Sequence, residues 1–164
     1  MATFGFPELL GKHSMLIKAY SESHRRYHTL EHISACFEHL NSVEAQAVYP
    51  HEIELALWFH DAVYQIFSSK NEEDSAELAA SFLADNGASN GCIKRIKHLI
   101  LLTKDHQAPQ GTDAKLMLDI DLSILGSSVE VYEQFERNVR EEYRRIPSFI
   151  FRPNRKKIGA VPDV

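Results

Sequence analysis

A run of apolar residues between Glu52 and Tyr64 constrains the fold of this chain more than any other segment. Its apolar members are Ile53, Leu55, Ala56, Leu57, Trp58 and Phe59. A helix that is apolar nearly all round has to be buried, so the run predicts a central helix surrounded by others. His60 and Asp61 lie near its end, where an imidazole and a carboxylate are costly to bury unless they are paired or bind metal.

The rest of the chain has the periodicity of amphipathic helices. Predicted helices begin at Pro7 and run from about Tyr27 to Val43, from Asn71 to Asn86-Gly87, from Ser89 or Asn90 to Thr103, from Leu116 to Leu125 and from Val129 to Arg144. No stretch shows the clean alternation of apolar and polar residues that is typical of a strand. The sequence therefore predicts an all-α helical bundle.

The size and charge of the chain limit its organisation and its partners. With 164 residues it suits one domain with a sizeable core. We predict that this domain spans residues 1–147 and that residues 148–164, with two prolines and a basic run, form an irregular tail. The net charge of -5 argues against nucleic acid held by bulk electrostatics. Without an apolar run of about 18 residues or a secretory signal, we expect no membrane partner and a cytoplasmic location.

Three separated segments contain imidazole and carboxylate groups that can build one metal site. These groups are His28 with His32, His60 with Asp61, and Asp119 with Asp121. The first two histidines are four residues apart and therefore lie on one face of a helix. The adjacent His-Asp pair points about 100° apart on a helix, so both can reach one ion only if it lies over the helix end or is bridged. The third pair follows an apolar stretch, which brings another acid to buried depth.

Nitrogen and oxygen ligands of this kind restrict the metal only partly. They suit Mn, Fe, Co, Ni or Zn, and also Mg where carboxylates dominate. A divalent ion with an open position would lower the pKa of a bound water and make it a nucleophile for hydrolysis.

In their order along the chain, these residues resemble the HD superfamily of metal-dependent phosphohydrolases. More narrowly, the chain is similar to a small, largely uncharacterised bacterial group of predicted HD phosphohydrolases. The similarity covers about residues 20–143 and rests on four pieces in order, Tyr20–Ile33, Trp58–Tyr64, Asn71–Ala76 and Leu118–Gly126. The resemblance implies an HD-type helical bundle around a buried divalent metal ion.

The superfamily pattern is His, then His-Asp, then Asp, all on one metal. By this resemblance His60 and Asp61 are metal ligands. Asp121 is the preferred closing ligand from the residues that follow it, and Asp119 would orient a ligand by contacting it.

Two histidines compete for the first ligand position of the pattern. Residues 27–32 are similar to the Tyr-His-x-x-x-His signature of cyclic-nucleotide phosphodiesterases, in which the second His binds metal and the first protonates the leaving oxygen. The resemblance therefore implies that His32 binds the metal and that His28 is the general acid.

The chain departs from many binuclear HD enzymes at the helix that follows the His-Asp pair. Those enzymes have His-Glu at its start, whereas this sequence has Asn71 and Glu72. The departure argues against a complete second metal site, although Asp61 could still bridge two ions. Glu72 is a candidate for holding a water during catalysis and Asn71 for orienting it, with simple helix capping as the alternative for both.

Three further residues are candidates for contacting substrate. Arg25 and Arg26 offer a phosphate clamp, because a guanidinium matches phosphate oxygens two at a time. His106 follows an apolar helix and is a candidate for reaching the substrate phosphate or a second ion.

Together these inferences predict a metal-dependent phosphohydrolase that cleaves a small phosphate ester, with a nucleotide as the candidate substrate. Two alternatives stay open, namely a non-catalytic metal-containing module that binds a nucleotide and a degraded homologue. The second arises because related sequences usually continue as helix after the stretch matched here by Arg140–Tyr143, where this chain has a short tail with prolines. A missing helix would expose apolar surface and favour a homodimer.

Overall fold

The computed structural model describes residues 9–106, 109–147 and 151. Within these ranges it contains seven α-helices, two short 3-10 helices and no strand, which confirms the predicted all-α class. The helices are α1 (Leu9–Tyr20), α2 (Leu30–Val43), α3 (Pro50–Phe59), α4 (Asn71–Asp85), α5 (Asn90–Leu102), α6 (Thr112–Asp121) and α7 (Val129–Glu142), and the 3-10 helices are Glu44–Gln46 and Leu122–Gly126. None of the described helices combines the length and apolar character that a membrane crossing requires.

The apolar run forms α3, which is the central helix of the bundle. Pro50 occupies its first turn, where the missing N–H of proline costs nothing. Its side chains Ile53, Ala56, Leu57 and Phe59 are almost fully buried, and it contacts α2, α4, α5 and α6. The end of α3, and with it the His-Asp pair, is therefore held deep among four other helices.

Local signals set the ends of the outer helices. Gly87 ends α4 with a φ of 74°, a left-handed conformation that glycine adopts without steric cost. The Ser89 hydroxyl accepts a hydrogen bond from the backbone N–H of Cys92 and caps α5. Ser128 caps α7 in the same way through the N–H of Val131.

The main hydrophobic core is built from α1 to α6. Among the described residues, neither α7 nor the 3-10 helix Leu122–Gly126 contributes a buried member to it. Phe135 and Val139 of α7 are nevertheless buried. The last helix thus has an apolar face that lies apart from the main core.

Three predicted boundaries differ from the structure, and at the first two a tertiary contact to a backbone group takes the place of helical hydrogen bonding. α2 begins at Leu30 rather than Tyr27, since the backbone N–H of Tyr27 donates to the Glu142 carboxylate. α3 ends at Phe59 rather than Tyr64, and the carbonyl oxygens that follow accept hydrogen bonds from Arg25. The predicted segment Leu116–Leu125 divides into the end of α6 and the second 3-10 helix.

Two predicted segments lie mainly outside the described residues. The helix start at Pro7 is one of them, and the tail of residues 148–164 is the other, apart from Phe151. The Phe151 ring lies 5.6 Å from that of Tyr143, measured between centroids, which places this part of the tail beside the end of α7.

Candidate metal centre

Four side chains from three parts of the fold converge beside the end of α3. His32 comes from α2, His60 and Asp61 follow α3, and Asp121 ends α6. Nε2 of His32 lies 3.4 Å from Nε2 of His60, and each of these nitrogens lies 3.3 Å from Oδ1 of Asp121. Oδ2 of Asp61 lies 3.0 Å from His60 Nε2 and 4.0 Å from His32 Nε2. The structure therefore brings together all four predicted metal ligands.

These separations fit the ligand atoms of a single transition-metal ion. Bonds of about 2.1 Å place two ligand atoms about 3.0 Å apart at a right angle and about 3.4 Å apart at a tetrahedral angle. The shorter separations in the cluster fall in this range, and the distance of 4.0 Å between His32 and Asp61 corresponds to a wider angle. His32, His60 and Asp121 could hold a metal ion, and Asp61 offers a fourth ligand.

The hydrogen bond of His60 to the backbone directs its inward nitrogen at the carboxylates of Asp61 and Asp121. Nδ1 lies 2.8 Å from the carbonyl oxygen of Leu57, and because a carbonyl only accepts, Nδ1 donates. In a neutral ring, Nε2 then directs a lone pair at the carboxylates of Asp61 and Asp121. The lone pairs of this nitrogen and of the carboxylate oxygens repel at this distance unless a cation or a second proton lies between them. The cluster therefore has the chemistry of a cation site.

The electrostatics of the cluster favour positive charge at its centre. Burial lowers the pKa of His60, but the nearby carboxylates of Asp61 and Asp121 outweigh this and raise it well above its usual value. Burial in turn raises the pKa of both carboxyl groups, while His60 and the other imidazoles hold each of them below its usual range. Both acids are therefore ionised at neutral pH, as metal ligands must be.

His106 lies against the cluster rather than out in the space for substrate. Its Nε2 is 3.2 Å from Oδ2 of Asp121, the oxygen that faces away from His60. Its φ of 47° is unusual for a residue other than glycine and turns the loop after α5 toward the cluster. Since His106 also lines the cavity described below, it orients Asp121 and remains near any ligand bound there.

His28 is paired with an acid that the sequence analysis did not select. Its Nδ1 lies 2.8 Å from Oε2 of Glu142, and Tyr64 donates its hydroxyl proton to the same oxygen at 2.9 Å. Burial lowers the pKa of His28, but Asp61 and Glu142 reverse the effect and raise it. The carboxylate of Glu142 thus fixes the imidazole and leaves Nε2 as its free ring nitrogen.

The Glu142 carboxylate also binds the backbone of the chain segment before α2. Its Oε1 accepts hydrogen bonds from the backbone N–H groups of Arg26, Tyr27 and His28 at 2.7, 2.8 and 3.0 Å. Although burial raises the pKa of Glu142, these donors and the His28 imidazole lower it to about 2. The spacing in the sequence could have indicated that Glu142 is buried. It follows Phe135 and Val139 at helical spacing and therefore lies on the same, buried face of α7.

Arg25 does not clamp a phosphate, which corrects the prediction for this residue. Its side chain is buried, and its guanidinium donates to the carbonyl oxygens of Asp61 at 2.7 Å, Ala62 at 3.1 Å and His28 at 3.3 Å. Its Nε donates to the carboxylate of Glu22. Arg25 therefore fixes the turn that contains Asp61 to the segment that contains His28.

We expect Arg25→Lys to lower the free energy of unfolding by about 3 kcal/mol, because an ammonium group cannot bond these diverging carbonyl oxygens together. Urea unfolding followed by circular dichroism measures the loss. The matched control is Arg26→Lys at the exposed neighbour, which should change stability by less than about 0.5 kcal/mol. Equal effects of the two substitutions would contradict the bracing role of Arg25.

Arg26 also lies away from the cluster, which corrects its predicted contact with substrate. It is exposed, and its guanidinium donates to the backbone carbonyl oxygens of Ser23 and Arg25. It lines a separate cavity of about 350 Å³ on the other side of Tyr64 and Glu142.

The three remaining predicted residues have different surroundings. Asp119 is exposed on α6, so its predicted contact with a ligand of the metal has no support in the structure. The Asn71 amide binds both backbone groups of Gln65 at 3.0 Å, so it holds the loop before α4 rather than capping the helix, and it lies at the edge of the cavity described below. Glu72 lines the same cavity as Asp61, and burial together with that neighbouring carboxylate raises its pKa.

The cluster opens into a cavity of about 440 Å³. Its polar wall comes from the loops before α4 and after α5, and includes Glu72, Lys104 and Asp105. Its apolar wall comes from the second 3-10 helix and α7, and includes Leu125 and Phe135. This volume suits a small organic molecule with one end at the metal ligands.

Comparisons of the chain with protein-family models, with curated proteins and with solved structures give no match. Membership of the HD superfamily therefore stays a prediction from the sequence motifs.

Proposed function

We propose that this protein is a metal-dependent phosphohydrolase that cleaves a small phosphate ester, with a nucleotide as one candidate. The observation that carries the proposal is the position of His28. Oriented by Glu142, this imidazole lines the same cavity as His60, Asp61 and Asp121. A candidate proton donor and a cluster suited to a divalent cation thus face one cavity.

A divalent cation bound by the cluster would supply a Lewis acid for the phosphoryl oxygens and would lower the pKa of a coordinated water. The chain itself supplies the proton for the leaving group. Glu142 holds Nδ1 of His28 and helps to raise the pKa of the ring, so His28 is suited to carry a proton on Nε2 and to donate it to the ester oxygen as the bond breaks. Glu142 positions that ring and stabilises its positive charge.

Two acids at the cavity have roles that follow from their surroundings. Asp61 is ionised and adjacent to both histidine ligands, so it completes the cation site. Glu72, with its raised pKa, is suited to exchange a proton with water at the polar wall. The apolar side chains of Phe135 and Val139 from α7 line the same cavity and lower the local polarity, which strengthens these electrostatic interactions.

The proposal is tested by loading the purified protein with Mn, Fe, Co, Ni, Zn or Mg and assaying phosphate release from a panel of monoesters and nucleotides. Turnover that depends on added metal and disappears with a chelator is the expected result. Stable metal binding without turnover of any ester would reject the hydrolase and favour a metal-containing binding module.

We expect His28→Asn to lower kcat for an alkyl phosphate by about 10²–10⁴-fold, which is the usual contribution of a general acid. The loss should be much smaller for 4-nitrophenyl phosphate, since nitrophenolate leaves without a proton. Metal content should stay unchanged, because His28 is not a ligand. His39→Asn, at an exposed histidine of α2, is the control. Equal losses for both esters would contradict a proton-donating role.

A further inference from the structure

The cavity beside the cluster has one wall that a simple phosphate site does not require. This wall comes from the second 3-10 helix, α7 and Phe151 beyond it, and its apolar side chains include Leu122, Ile124, Leu125, Phe135, Val139 and Phe151. Of these, only Phe135 and Val139 are buried. None of the six belongs to the main hydrophobic core. The wall therefore presents apolar surface to the cavity rather than to the centre of the bundle.

The apolar wall is directly continuous with the candidate metal ligands. Leu122 follows Asp121 in the chain, so the 3-10 helix starts at a ligand. On the other side, the Tyr27 ring lies 4.8 Å from the ring of His32 and 4.5 Å from the ring of Phe135, measured between centroids. A molecule with a phosphoryl group at the cluster would thus place its ester group against this wall.

The charges around the cavity limit how much negative charge a ligand can bring. Four carboxylates line it, those of Asp61, Glu72, Asp105 and Asp121. Among the described lining residues the one lysine or arginine is Lys104, and its ammonium already contacts the Glu73 carboxylate and the Ser69 carbonyl oxygen. One or two divalent cations would offset a single phosphoryl dianion, and among the described lining residues no unpaired lysine or arginine is left for a chain of phosphates.

From these observations we propose that the ligand of this cavity is a phosphate monoester of an uncharged, apolar alcohol, and that polyphosphates and esters with acidic groups are excluded. The proposal rests on the proposed function and narrows its substrate class. Phe135 and Leu125 determine specificity by contacting the alcohol part, while the cluster holds the phosphoryl group. Among nucleotides, the charge balance favours monophosphates.

The test compares three non-hydrolysable probes by calorimetry on the metal-loaded protein. Benzylphosphonate carries an apolar ring, ethylphosphonate lacks it, and 4-carboxybenzylphosphonate adds a negative charge to it. We expect benzylphosphonate to bind about tenfold or more tightly than each of the other two, because the ring buries apolar area and the added carboxylate meets an apolar wall among acids.

Substitutions in the apolar wall then test whether its side chains cause the preference for the benzyl probe. Phe135→Ala and Leu125→Ala should each reduce the preference for benzylphosphonate over ethylphosphonate to about threefold or less. Val131→Ala, at a half-exposed position of the same helix, should leave it unchanged. If Phe135→Ala unfolds the protein, the preference for benzylphosphonate is judged from Leu125→Ala alone. Equal affinities for the benzyl and ethyl probes, or a preference that survives both wall variants, would overturn the proposal.

Hydrolysis of benzyl phosphate is measured separately, so that this proposal and the proposed function fail in different ways. A preference for the benzyl probe without hydrolysis rejects the phosphohydrolase and retains the ligand class. Hydrolysis without any preference rejects the ligand class and retains the phosphohydrolase.

Discussion

Replacement of His60 or Asp121 by alanine is expected to abolish binding of a transition metal to the purified protein. The inward nitrogen of His60 and Oδ1 of Asp121 lie 3.3 Å apart, and both lie close to the facing nitrogen of His32. Removal of one ligand leaves an open, differently charged cluster. We expect the affinity to fall by more than about 100-fold, beyond the 10–100-fold that outer contacts to metal ligands usually cost.

Elemental analysis after reconstitution measures this loss, and thermal unfolding gives a second readout. In the wild type, free metal at 100 times its Kd should stabilise the folded protein by about 2.7 kcal/mol. His60→Ala and Asp121→Ala should show less than about 0.4 kcal/mol of stabilisation at the same metal concentration. Exposed neighbours offer matched controls, Asp119→Ala on α6 and His39→Ala on α2, and both should bind metal as the wild type does.

The result would count against the site in either of two ways. Wild-type protein that takes up none of Mn, Fe, Co, Ni or Zn would remove the basis for the hydrolase. Full metal content in both alanine variants would show that the metal binds elsewhere. Two ions per chain would instead indicate that Glu72 and His106, which line the same cavity, complete a second site.

Loss of the Glu142 carboxylate is expected to have the largest effect on stability. Glu142→Ala would leave three backbone N–H groups, the Tyr64 hydroxyl and the His28 imidazole without their acceptor in a buried position. Breaking a buried, hydrogen-bonded charge pair typically costs about 3–5 kcal/mol. We expect this decrease in the free energy of unfolding in urea, together with a lower kcat, because the ring of His28 loses its orientation.

The same carboxylate should give stability a particular pH dependence. Its pKa falls from an ordinary value of 4.5 to about 2 in the folded protein, so its contribution is fully present above pH 4.5. That contribution is lost as the pH falls through about 2, and the shift corresponds to about 3 kcal/mol. The difference in stability between wild type and Glu142→Gln should therefore shrink between pH 4.5 and 2.

Glu141→Gln is the matched control for this experiment. Glu141 precedes Glu142, is exposed and pairs with Arg144 at the surface, where ion pairs contribute little. Its substitution should leave the acid limb of the stability curve unchanged. A parallel acid limb in Glu142→Gln and wild type would contradict the assignment of the pH dependence to Glu142.

Some features of the site followed from the sequence because their signals are local. His60 and Asp61 were selected from their position at the end of an apolar run, and such a run can only be a buried helix. His32 and Asp121 were selected by motif resemblance, and the structure places both beside that helix end. Helical spacing placed His28 and His32 on one face, and the motif resemblance chose between them.

Other features could not be read from local patterns. Two adjacent arginines looked equivalent as phosphate ligands, yet Arg25 is buried on the carbonyl oxygens of Asp61 and Ala62 while Arg26 is exposed. Helical periodicity does not distinguish the two arginines, because the burial of Arg25 depends on a turn 36 residues away. The predicted contact of Asp119 with a metal ligand also failed, because the orientation of α6 leaves Asp119 exposed while Asp121 reaches the cluster.

By itself, the sequence determined the all-α class and the central helix, since helical periodicity and burial are properties of short segments, and its motifs selected the imidazoles and carboxylates that converge. The tertiary structure alone decided how α7 lies over the bundle. That placement brings Glu142 to His28 across 114 residues and sets the apolar wall beside the cluster. Hydrogen-bond partners at such separations are fixed by the way the helices close on one another, and no local pattern specifies them.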